Sequence, residues 1–139
     1  MMFHKPFLII TFLSVILLFT QGCADSPTEA RARLEQRVNA YFTALKINDL
    51  ATAYRMQSGA RDGSLTADLF HRLMTQSGGR LINYKIEDIQ IEGESATIKA
   101  ELTYQYPQLH QPYIRSRSSQ WIMLDGDWYH KSPTIPSMK

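Results

Sequence analysis

Cys23 is the only cysteine in a chain of 139 residues, so its thiol cannot be used in an internal disulfide. No neighbouring group would lower its pKa and make it a catalytic nucleophile. A free thiol is a liability in an oxidising compartment, whereas a cysteine consumed by acylation is not. A second candidate is the pair Arg115 and Arg117, which share one strand face with Tyr113, Ser119 and Trp121. Two guanidinium forks on one face can hold an anionic group bidentately. If Trp121 points to the interior, the arginines lie towards the open end of that face. If Ile122 and Leu124 point inward instead, both face solvent or a partner. His71, His110 and His130 are scattered and form none of the usual ligand motifs, so no metal site is expected.

Cys23 takes its meaning from what precedes it. A cationic start ending in Lys5-Pro6 leads into an apolar stretch from Phe7 to Thr20, then Gln21-Gly22-Cys23. Those are the three parts of a secretory signal. As a helix the apolar stretch would be about 21 Å long, short of the roughly 30 Å hydrocarbon layer, so a permanent span is disfavoured. Release into the periplasm after ordinary cleavage near Gly22 or Ala24 is the other outcome of such a signal. Thr20-Gln21-Gly22-Cys23 resembles the lipobox of bacterial lipoprotein precursors, departing from it at Thr20 and Gln21. The resemblance implies cleavage between Gly22 and Cys23, a diacylglycerol thioether on Cys23 and a further acyl chain (palmitate-like) on its amino group. Several buried acyl chains make a durable anchor. It also implies a domain held at the cell membrane or outer membrane, facing the periplasm; Ala24 in place of Asp favours the outer membrane.

Charge excludes one class of partner. Removal of residues 1–22 takes away only Lys5, leaving 14 basic and 13 acidic side chains. A protein that binds nucleic acid carries a strongly basic patch, so no nucleic acid partner is expected.

The elements that must position these groups follow from periodicity. Ser26-Pro27-Thr28-Glu29 is a capping box with Pro at the first helical position. Leu34, Val38, Tyr41, Phe42 and Leu45 recur at helical spacing. Asn48-Asp49 interrupts this helix, and Asp49 caps a second one running through Met56. Residues 57–63 read as a loop. A third helix starts near Ser64 or Thr66, carries Leu65, Leu69, Phe70, Leu73 and Met74, and ends at Gly78-Gly79. The period then becomes two. Ile82, Tyr84 and Ile86 alternate, and Ile89 and Ile91 continue on the other parity, which predicts a bulge near Glu87-Asp88. A second strand alternates from Ala96 to Tyr106. A third runs from Tyr113 to Leu124, and Asp125-Gly126 signals a hairpin into a fourth, Asp127 to Lys131. The organisation is a signal over 1–22, an acylated cysteine and short tether over 23–27, one domain over 28–131 and a loose tail over 132–139. The fold class is α+β, three helices packed on one face of a four-stranded antiparallel sheet.

On Ala44-Leu45-Lys46-Ile47-Asn48-Asp49-Leu50, Phe70, Glu94-Ser95-Ala96-Thr97-Ile98 and the closing Trp121 to Tyr129, this domain resembles the NTF2-like superfamily. The resemblance implies a strongly curved sheet folded into a cone, and a pocket whose candidate residues are Tyr41, Tyr54, Phe70, Tyr104 and Trp121. Members include ketosteroid isomerases and dehydratases, which hold an acidic base inside the cone. No inward-facing acid is found on the central strands here. Tyr41 reads better as a core tyrosine, Asp68 as a first-turn carboxylate favoured by the helix dipole, and His71 as solvated. The leading expectation is therefore a non-enzymatic envelope domain, without cofactor, that binds a small apolar ligand or a protein partner. A small isomerase- or dehydratase-like enzyme is the alternative, as is a scaffold subunit working through the outer sheet face. That face is also where a homodimer would form.

Overall fold

The computed structural model describes residues 26–134; Gly22 and Cys23 lie outside the described residues. Helix α1 spans Pro27–Lys46, with Ser26 and Glu29 forming the reciprocal capping box. Ser26 Oγ accepts from the Glu29 amide at 3.3 Å, and the Ser26 amide donates to Glu29 Oε2 at 3.0 Å. The helix therefore begins at Pro27, the first helical position that the capping box predicts. Its buried face is Leu34, Val38, Tyr41, Phe42 and Ala44. Asn48, at φ 61°, turns the chain, and Asp49 caps α2, Leu50–Arg55, by accepting from the Thr52 amide at 3.0 Å.

The segment expected to be a loop contains a further short helix, α3, Ser58–Asp62, ended by Gly63 at φ 79°. The described residues thus hold four helices, not three. The five residues of α3 carry no apolar period; what holds them is tertiary. The Gly59 amide donates to Ser132 Oγ at 2.8 Å, and the Ser132 amide donates to Ser58 Oγ at 3.1 Å. Ser132, the first residue of the expected tail, is thus held against α3. Helix α4, Ala67–Thr75, starts at its Thr66 cap.

Strands β1 (Arg80–Glu92), β2 (Ser95–Gln105), β3 (Tyr113–Leu124) and β4 (Asp127–His130) form one antiparallel sheet in sequence order. The expected bulge appears between Ile86 and Asp88, and a second lies between Leu81 and Asn83. Each shifts the inward parity of β1, so the concave set is Leu81, then Tyr84 and Ile86, then Ile89 and Ile91. Leu81, not Ile82, is the buried residue at that end, because the first bulge precedes the alternation. Two bulges in one strand bend it strongly.

Helix α1 lies in the resulting trough and ties its two sides together. Arg31 donates to the Ile89 carbonyl of β1 at 3.0 Å, and Arg37 Nε donates to the Trp128 carbonyl of β4 at 3.1 Å. The core between helix and sheet includes Leu34, Val38, Ile98, Trp121 and Trp128. At the closing hairpin Asp125 and Gly126 both take positive φ, 50° and 80°, the geometry that matches strand twist in a two-residue turn. It sets Trp121 opposite His130.

Candidate functional site

Trp121 is fully buried, which fixes the parity of β3. Ser119, Arg117, Arg115 and Tyr113 follow it along the concave side, facing Ile98, Ala100, Leu102 and Tyr104 of β2. The row passes from buried Trp121 to half-exposed Tyr113, so the trough is closed at one end and open at the other.

Between this row and helices α1 and α4 lies a cavity of about 430 Å³, within the range of small-molecule sites. Phe42 and Leu45 come from α1, Phe70, Leu73 and Met74 from α4, and Leu102 from β2. The amphipathic pattern of α4 supplies one wall directly, since its apolar face turns inward while Asp68 and Arg72 pair outside at 3.0 Å. No Asp or Glu is among the lining residues.

One polar cluster sits against this apolar wall. Gln57, 1 % exposed, donates through Nε2 to the Tyr41 hydroxyl at 3.0 Å. Its Oε1 faces His130 Nδ1 at 3.1 Å and accepts from the Ser132 hydroxyl at 3.3 Å. A carbonyl oxygen can only accept, so the imidazole proton is on Nδ1 and Nε2 is left as an acceptor. The His130 ring stacks on Tyr41 with centroids 4.8 Å apart, and Trp121 sets its edge against both. Burial, and then the positive charge of Arg117, push His130 down to about 4. Burial pushes the Tyr41 hydroxyl upward, beyond the ordinary tyrosine range. Tyr104 is also raised by burial, with Arg115 and Arg117 opposing the rise. At neutral pH the cluster is therefore uncharged, and the charged side chains on the lining are Arg117 and Lys131.

Of the residues expected in a pocket, Tyr41, Phe70 and Tyr104 line the cavity. Trp121 and Tyr54 do not. Trp121 lies behind Tyr41, its Nε1 donating to Ser119 Oγ at 3.3 Å. Tyr54 donates to the Leu65 carbonyl at 2.9 Å and supports Phe70 from outside, centroids 5.9 Å apart. Arg117 lines the cavity, whereas Arg115 stands further along the same row, close enough for its charge to reach Tyr104. Sequence reasoning missed Gln57, which fell in a supposed loop, and considered His130 only as a metal ligand. Among the described residues no three His, Cys, Asp or Glu side chains converge on a metal-sized site.

No protein-family model and no curated protein matches this sequence. Solved structures do match in shape. A SEC-C motif containing protein from Rhodopseudomonas palustris is 15% identical with a TM-score of 0.53, over 73% of each chain. An NTF-2 like protein of unknown function from Shewanella oneidensis is 16% identical with a TM-score of 0.50, over 76% of this chain and 94% of that one. The fold is NTF2-like. An LEH-like epoxide hydrolase from M. tuberculosis also aligns, at 17% identity and a TM-score of 0.50, over 72% of this chain and 82% of its own. At these identities the likeness concerns the fold, and NTF2-like folds host unrelated activities.

Proposed function

We propose that this chain is a lipid-anchored, non-enzymatic domain of the cell envelope that takes a small apolar ligand into the concave cavity. The observation that carries the reading is the cavity itself, about 430 Å³, walled by apolar side chains of α1, α4 and β2 and free of carboxylates among its lining residues. One similar structure is named an epoxide hydrolase. Here the imidazole is held near 4, well away from the neutral range a general base needs, which favours binding over turnover. The outer sheet face favours the cavity over a protein partner. Lys99 pairs with Glu87 at 3.4 Å, Ser116 donates to Glu87 at 3.0 Å and Gln120 to Thr97 at 3.1 Å, so the middle of that face is polar, with Ile114 exposed towards one end. The anchor rests on Gly22 and Cys23, with the domain starting only a few residues later.

Photolabelling tests the cavity. A diazirine-bearing decanol added to the full chain in lipid nanodiscs should place its adducts on Phe70, Leu73, Met74 and Leu102. Adducts spread evenly over the outer sheet face would refute the reading. For the anchor, radiolabelled palmitate should enter the wild type and not Cys23→Ser; an unlabelled wild type would remove lipidation from the proposal.

A further inference from the structure

Charge at the cavity is of one sign. Arg37, Arg61 and Arg72 each meet a carboxylate. Among the described residues none pairs with Arg117, Arg115 or Lys131. Arg117 stands on the lining where the inward row of β3 leaves the buried end, opposite Ala100, whose small side chain leaves that part of the trough open. Its charge is felt at Tyr41, Tyr104 and His130, so it faces the polar side of the cavity.

Hydrogen-bonding capacity points the same way. Tyr41 accepts from Gln57, which leaves its own hydroxyl hydrogen free to donate. The Tyr104 hydroxyl has no partner among the described residues. Arg117 and Lys131 are donors only, while His130, Ser119 and Ser132 on the lining carry groups that can accept without bearing a negative charge. A site that carries two cations, is lined by no acid, and is backed by the apolar side chains of α4 is complementary to an anion with a hydrocarbon body.

We infer that the cavity takes a single-chain organic carboxylate, its two oxygens on the guanidinium fork of Arg117 and its tail beneath α4. This rests on the cavity-binding reading above and names the ligand class for that site. The planar fork of Arg117 matches a carboxylate in two parallel hydrogen bonds, which an alcohol cannot form. A charge-assisted hydrogen bond contributes enough to shift affinity by about tenfold or more.

The test contrasts head groups on one tail. Diazirine-bearing decanoate and decanol are added separately to the full chain in phosphatidylcholine nanodiscs, and adducts on cavity residues are quantified against concentration. Decanoate should half-saturate at a concentration at least about tenfold lower than decanol. Arg117→Gln should remove that advantage, bringing the half-saturation concentrations of the two probes together. Arg117 is exposed, so this substitution is expected to leave the fold intact, with an unchanged urea midpoint. Arg72→Gln, on the outside of α4, is the charge-matched control and should keep the full advantage. Equal half-saturation of the two probes in the wild type would overturn the carboxylate inference and leave the cavity reading standing. An advantage that survives Arg117→Gln would overturn the role of Arg117. Failure of both probes to label the cavity would overturn the cavity reading and this inference with it.

Discussion

Gln57 joins three parts of the molecule through its side-chain amide, Tyr41 on α1, His130 on β4 and Ser132 beyond it, and its backbone is bridged to His130 as well. Deleting that amide would strand a tyrosine hydroxyl and an imidazole N–H away from water. Gln57→Ala is therefore expected to cost about 2–4 kcal/mol, since buried groups that lose a partner bear their full desolvation penalty. A urea titration measures it, and a loss below about 0.5 kcal/mol would show the cluster to be incidental. His130 makes a second prediction, in pH. Its folded-state value is lowered from 6.5 to about 4, so between those limits the unfolded chain binds more protons than the folded one. Its contribution is fully present above pH 6.5 and is lost progressively as pH falls to about 4, by on the order of 3 kcal/mol. Asp49 and Asp62, both below the usual carboxylate value through bonds to Thr52 and Ser64, titrate lower and do not share that window. His130→Gln should flatten the slope between pH 6.5 and 4; an unchanged slope would assign it to other groups.

At the scale of elements, much was legible where a local rule was strong. The capping box and the Leu34–Phe42 stripe announce α1, and the change of parity after Ile86 announces a bulge. The Asp125-Gly126 turn says more than that a fourth strand follows. A two-residue hairpin fixes register, so counting outward pairs residue 121 with residue 130. The placing of His130 beside Trp121 is therefore readable from the turn alone. The bulge at Leu81–Asn83 and helix α3 are not, because each depends on distant partners and leaves no apolar period. Helix α3 is the sharper case. A Cβ built on Gly59 would stand 2.7 Å from Leu65 Cβ and 2.8 Å from Ser132 Oγ, so glycine permits the close approach that ties the end of β4 to the helices. Gly59→Ala is expected to destabilise by about 1–3 kcal/mol through overpacking. Amide exchange should also quicken at Ser132. Unchanged exchange there would mean the clasp bears no load.

For the whole molecule, curvature and cavity have one origin. Bulges bend β1, Arg31 and Arg37 of α1 hold β1 and β4 on either side, and α4 roofs the space that the bend leaves. Of the residues expected in a pocket, Tyr41, Phe70 and Tyr104 line the cavity, while Tyr54 and Trp121 support its wall and Gln57 and His130 make the floor. Burial decides this distribution, and a linear pattern does not carry it: Trp121 and Arg117 share a strand face but end at opposite depths. The central claim is that the cavity is a ligand site. Methyl NMR of methionine-labelled full chain during a decanol titration tests it most directly, because Met74 lines the cavity and Met123 does not. The Met74 methyl resonance should move saturably while Met123 stays in place; a static Met74, or equal movement of both without saturation, would contradict the claim.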